Sequence, residues 1–231
     1  MKRLGVIIIL ISSCFCIAGQ SDNSRIVKYN PDFTFNDGIY ANFIAVKANS
    51  PIPAARIVTD VDVFDRDFYD KVTSKDEIIY YDNNGVKQTL KTKNIWGYGR
   101  NGVLYINVGD TFHRIGFVGN ISHFVASVTT YNTHYYDPYY GYNPYYYNSY
   151  YYNRYMSPRT GYANTELKQY LIDFETGEVF NYDIESVEIL LMKDPELHDE
   201  YVSLRRRKKN QLKFVFIRKF NEKHPLYLPA D

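Results

Sequence analysis

Asp60, Asp62, Asp65, Asp67 and Asp70 crowd enough carboxylates into eleven residues to suggest a calcium ion, which takes six to eight oxygen ligands. An EF-hand loop also needs a glycine at its sharp turn and a closing glutamate, and neither is in place here. Val61, Val63 and Phe64 interleave with the acids, so the stretch is expected to be a half-exposed strand with its carboxylates in water. His113 and His123 fall on neighbouring expected strands, where they could face each other, but two imidazoles are half of a zinc site and no third ligand has a recognisable spacing. His134, His198 and His224 form no H-E-x-x-H pair, and no serine lies in G-x-S-x-G. No catalytic residue, metal ligand or cofactor is assigned.

Two further patterns imitate binding motifs. Gly97-Tyr98-Gly99-Arg100-Asn101-Gly102 satisfies G-x-G-x-x-G, yet Val103 to Ile106 follow as a strand, whereas a dinucleotide site needs a helix N-terminus for the pyrophosphate. It is expected to be a hairpin, and Trp96 beside it a core residue. Arg205-Arg206-Arg207-Lys208-Lys209 resembles a nucleic-acid patch. Asp194, Glu196, Asp199 and Glu200 precede it, an order that suits the dipole of one long helix, so a solvated helix face is expected and nucleic acid is not.

The concentrated group is aromatic. Residues 131 to 162 hold 14 of the 25 tyrosines, interrupted by Pro138, Pro144 and Pro158 and by Asn, Gly and Ser. No apolar period runs through them, so a surface loop is expected. Tyrosine offers a flat apolar face and a hydroxyl at small rotamer cost, which is why binding loops favour it. Tyr135, Tyr136, Tyr139, Tyr140, Tyr142, Tyr145, Tyr146, Tyr147, Tyr150, Tyr151, Tyr152 and Tyr155 are the candidate binding residues, for a partner protein or a glycan.

The elements that would position these groups follow from turns and periodicity. Ile39, Phe43 and Val46 recur at helical spacing after Asn36-Asp37-Gly38, so a strand running into a short helix is expected. Between Glu77 and Ser127, six β-branched or apolar runs are separated by Asn84-Gly85, Asn101-Gly102, Gly109-Asp110 and Gly119-Asn120. Such pairs supply the positive φ of tight hairpins, so an antiparallel meander or a small SH3-like barrel is expected. Gln169 to Phe174 and Glu178 to Tyr182 flank Glu175-Thr176-Gly177 as a later hairpin. Asp183 is placed to cap a helix reaching Met192, and Asp194-Pro195-Glu196 to start a second whose apolar stripe runs from Leu197 to Phe220.

Lys2 and Arg3 precede the apolar run Leu4 to Ile17, with Ala18-Gly19 before a polar stretch, which is the pattern of an export signal over residues 1 to 19. Ile11-Ser12-Ser13-Cys14 also resembles a lipoprotein box, so cleavage near Gly19 and lipidation of Cys14 both stay open. Cys14 and Cys16 are the only cysteines, so cleavage near Gly19 removes every thiol. Without Lys2 and Arg3 the chain has 25 basic against 26 acidic side chains, a balance that implies no polyanion partner.

Asp37-Gly38-Ile39-Tyr40, Ile95-Trp96-Gly97-Tyr98, Asp194-Pro195-Glu196-Leu197 and Phe220-Asn221-Glu222-Lys223-His224-Pro225-Leu226 resemble recurring phrases of a family of uncharacterised exported proteins from Bacteroidetes-type bacteria. The resemblance implies export in a Gram-negative cell, to the periplasm, outer membrane or cell surface, and brings no catalytic residue with it.

One α+β domain over residues 20 to 231 is therefore expected: an antiparallel meander or barrel-like sheet, a C-terminal hairpin, two helices and the tyrosine-rich insertion. Its expected function is non-catalytic binding of an envelope protein or glycan. A structural subunit of an outer-membrane assembly and an envelope-polymer hydrolase using Asp or Glu are the alternatives.

Overall fold

The computed structural model describes residues 25–109, 111–131 and 163–230. Strand β1 (Arg25–Lys28) is followed by β2 (Gly38–Tyr40) and helix α1 (Phe43–Lys47), as the spacing of Ile39, Phe43 and Val46 predicts. Asn42 caps α1 by accepting from the Ala45 N–H at 2.9 Å, and Asn49 ends the segment at φ 47°. Asn49 then clasps its surroundings: its side-chain oxygen accepts from Tyr40 Oη (2.8 Å) and Asn36 N (2.9 Å), while Asn36 Nδ2 donates to its carbonyl.

The aspartate stretch departs from expectation. After β3 (Ile57–Val58) it forms turns and then helix α2 (Phe68–Thr73), because Asp62 and Asp65 accept from the backbone N–H groups of Phe64 and Asp67. Local side-chain acceptors of this kind compete with strand pairing. Val61 still turns into the core, and Phe64 is left 95% exposed.

Strands β4 (Glu77–Tyr81) and β5 (Lys87–Lys91) form the expected hairpin, with Gly85 at φ 74° and Asp82 accepting from Asn84 N and Val86 N. They pair with β3 as a separate three-stranded sheet. The expected continuous meander is broken by a 3₁₀ turn at Thr92–Asn94, pinned where Thr92 N donates to the Asp76 carbonyl at 2.9 Å.

Strands β6 (Gly97–Arg100), β7 (Val103–Val108), β8 (Thr111–Phe117), β9 (Ile121–Tyr131), β10 (Ala163–Asp173) and β11 (Val179–Asn181) then form a seven-stranded antiparallel sheet with β2 in the order β11-β10-β9-β8-β7-β6-β2. It is not closed into a barrel. Asn101 and Gly102, at φ 51° and 74°, make the β6-β7 turn, so the G-x-G-x-x-G match is a hairpin. One sheet face, through Leu104, Ile106, Phe124 and Ile172, packs against Phe35, Val46 and Leu228. Leu171 and Ile121 on the other face meet the C-terminal helices, and Tyr98 meets Phe68, Val72 and Ile78.

Three helices follow rather than two: α3 (Ile184–Leu191), α4 (Pro195–Val202) and α5 (Arg206–Lys223). Asp183 and Asp194 cap the first two as expected, accepting from Ser186 N at 2.8 Å and Leu197 N at 3.1 Å. The stripe from Leu197 to Phe220 is interrupted at Arg205, which is extended at ψ 146°. A continuous helix rising about 1.5 Å per residue would carry Phe216 and Phe220 away from the sheet, whereas the turn folds them back beside Leu197 and Tyr201. The basic run thus lies at the start of α5, the end where the helix dipole disfavours cations. Glu185 and Glu188 of α3 supply the counter-charge, 3.6 Å from Arg206 and 2.7 Å from Lys209. The chain closes with β12 (Tyr227–Ala230) antiparallel to β1. Among the described residues no helix is long and apolar enough to cross a membrane.

Asp194 joins the two ends of the helical layer. Beyond its cap it accepts from Lys223 Nζ at 3.0 Å and sits 2.6 Å from His224 Nε2. Hydrogen bonds from Lys223 and then His224 hold its carboxyl well below the usual carboxylate range. A carboxyl depressed in the folded state stabilises fully above its unfolded pKa of about 4, and this contribution drains away as pH falls further. Asp194→Asn is therefore expected to lower the melting temperature at neutral pH and to flatten its fall between about pH 4 and pH 2. Parallel melts of both proteins check this, and identical acid limbs would contradict it.

Candidate functional site

The tyrosine candidates Tyr135 to Tyr155 lie outside the described residues, but the strands that hold their segment do not. β9 and β10 pair along their whole 11-residue lengths, from Ile121 opposite Asp173 to Tyr131 opposite Ala163. Residues 132–162 therefore leave and rejoin the sheet at two adjacent strand ends.

The other sequence candidates are dispersed. Ile115 pairs with Phe124, so His113 shares the face of Ile115 while His123 points to the opposite one. His113 bonds to Thr111 Oγ1 at 2.7 Å, and burial pushes its pKa down. His123 meets Gln169 Oε1 at 3.0 Å and packs edge-on to Tyr182, whose carbonyl accepts from the buried Lys213 at 3.0 Å. Asp60 pairs with Lys75 at 2.9 Å, Asp65 with Lys71, and Asp70 accepts from Tyr98 Oη at 3.0 Å. Among the described residues no three His, Cys, Asp or Glu side chains are grouped to hold a metal ion.

The concave feature the sequence did not reveal is a cleft of about 460 Å³ around Trp96. Trp96 was expected in the core. It is only half-buried, packing on the inner core on one side and lining the cleft on the other. Its position is fixed by backbone bonds, Trp96 N to Tyr40 O at 3.1 Å and Asn107 N to Trp96 O at 2.8 Å. Phe43 of α1 lies 5.6 Å from the indole and 5.3 Å from the Phe174 ring. Gly177, at φ 82°, lets Phe43 seat there, since a Cβ would come within 2.5 Å of the ring.

Amides rim the aromatic wall: Asn42, Asn94 and Asn107, with Lys93 as the one charged residue among the described lining. Asn107 Nδ2 donates to Ile95 O (3.1 Å) and Thr92 O (3.4 Å), which fixes the amide orientation. Its Oδ1 is enclosed and has no partner among the described residues. Asn107 interrupts the apolar run of β7, and that lone polar residue in a strand was the available signal.

The β7 side of the cleft and the tyrosine segment share one end of the sheet, whereas Gly177 and Val179 line the cleft from beyond Asp173, at the opposite end of β10. Val108 pairs with Thr111 at the start of β8, and the β8-β9 pairing of Ile115 with Phe124 places Thr111 towards the end of β9 that leads to Tyr131. Two strand spacings, about 10 Å, separate β7 from β9. A second cleft of about 520 Å³ contains Asp76 and Glu77 among Lys75, Lys91 and Lys93.

No family model matches the chain, and neither a curated protein nor a solved structure does. The class that can be stated is that of its fold, an α+β protein built on an open antiparallel sheet.

Proposed function

We propose that this is a non-catalytic exported protein of a Gram-negative envelope that binds a partner protein or a glycan through its tyrosine-rich segment. One observation carries the reading: the segment joins strand ends already paired with each other, Tyr131 with Ala163, so the sheet keeps its register without drawing on the segment. The segment holds the twelve candidate tyrosines, and buried tyrosines are frequent hot spots in interfaces. The export pattern of residues 1 to 19 and the resemblance to exported Bacteroidetes proteins support the location.

The rival reading of a subunit in an outer-membrane assembly has its own observation. Val125 (44% exposed) and Leu167 (78% exposed) lie on the same outer face of the hairpin, diagonal to each other in the register.

Replacing residues 132–162 with a four-residue Gly-Ser turn tests the proposal. Loop-closure entropy changes by about 0.6 kcal/mol per doubling, so this shortening should leave the protein folded and stabilise it by no more than about 2 kcal/mol. Material co-purifying with the full chain from native envelopes should be absent from the shortened one. A folded shortened chain that keeps its partner would overturn the tyrosine reading and favour the Val125-Leu167 face.

A further inference from the structure

We infer that the Trp96 cleft is a separate carbohydrate subsite, which takes one pyranose unit of a glycan against the indole and the amides of Asn42 and Asn94. This goes beyond the tyrosine segment and rests only on described residues. The volume of about 460 Å³ falls in the range of small-ligand sites. Its lining combines an apolar aromatic wall with several neutral hydrogen-bonding groups, which matches a sugar ring: C–H groups on one face, hydroxyls around the edge. A nucleotide or phosphorylated ligand would call for a cationic cradle or a helix N-terminus, and Lys93 is the single charge among the described lining residues.

Asn107 acts on the wall of the cleft. Its Nδ2 bonds to Ile95 O and Thr92 O hold the turn that presents Asn94, while its Oδ1 is enclosed and offers a ligand no direct bond. The turn Thr92–Asn94 is exposed along much of its length and is held to Asn107 through the Thr92 carbonyl. Asn42 contributes less, since its side-chain oxygen already caps α1. Lys93 gives a uronic acid an advantage over a neutral sugar at the same place.

Trp96 is the sole tryptophan, so its emission reports on the cleft alone. The full chain is titrated with trisaccharides of glucose, mannose, N-acetylglucosamine and galacturonic acid. At least one should produce a saturable blue shift of Trp96 emission, weakened tenfold or more by both Asn94→Ala and Asn107→Ala. Asn94 is exposed, so Asn94→Ala should melt with the parent and keeps the test valid if Asn107→Ala fails to fold. If galacturonate alone binds, Lys93→Ala should abolish the shift. No shift with any of the four, or a shift that Asn94→Ala leaves untouched, would overturn the inference. The shortened chain lacking residues 132–162 should keep the shift, which separates this site from the tyrosine segment.

Discussion

Alanine in place of Gly97 is expected to lower stability by about 3 kcal/mol or more, an overpacking effect at the upper end of the usual range. A Cβ built there presses into the Tyr105 carbonyl oxygen and comes 3.3 Å from Ile106 Cα. Both obstacles are backbone, so no side chain can swing aside, and the β6-β7 pairing of Gly97 with Ile106 must open instead. Gly116 is the control, because nothing lies within 4 Å of a Cβ built on it and its φ is not positive. Urea denaturation of the two variants should give a large loss for Gly97→Ala and almost none for Gly116→Ala. Equal midpoints would mean that the close approach of β6 and β7 is not what requires glycine. The same contact explains the G-x-G-x-x-G match: Gly97 and Gly99 admit neighbouring backbone, and Gly102 makes a turn.

Asn49→Ala is the second large effect, about 2–4 kcal/mol. Its φ of 47° lies in the left-handed region, where an ordinary side chain costs about 1–2 kcal/mol. Losing its side-chain oxygen also removes the bonds from Asn36 N and Tyr40 Oη, the latter keeping the Asn36 carbonyl at 3.0 Å, at about 1–3 kcal/mol in all. Asn49→Gly separates the two contributions, since glycine relieves the backbone and restores no acceptor. It should recover roughly 1 kcal/mol of the loss in chemical denaturation. Should glycine and alanine prove equally damaging, the hydrogen bonds alone would account for the effect.

What the sequence disclosed was local chemistry. Asn101-Gly102 and Asn84-Gly85 predicted hairpins because positive φ is a property of those residues wherever they stand. Asp183 and Asp194 predicted helix starts because a carboxylate reaching the third N–H needs nothing beyond the first turn. The errors came where a local pattern was ambiguous and packing decided. Leu204 and Leu212 continue a helical stripe through Arg205, so only the need to return Phe216 to Leu197 breaks the helix. Val alternating with Asp reads as a strand, but short carboxylates seized the nearest backbone N–H groups first. The Trp96 cleft joins Asn42, Trp96, Asn107 and Gly177 from four separate stretches, a coincidence that no window of sequence contains.

The pairing of β1 with β12 sets Arg25 opposite Ala230, so the described chain nearly closes into a ring. That contact spans the largest separation in the described fold, and its closure has to wait for β12 to emerge and find β1. Leu226 and Leu228 belong to the inner core, so the molecule cannot seal itself early around an incomplete copy. A chain released only as far as α5 would therefore still have an open core, which defers commitment to the native state until β12 is available.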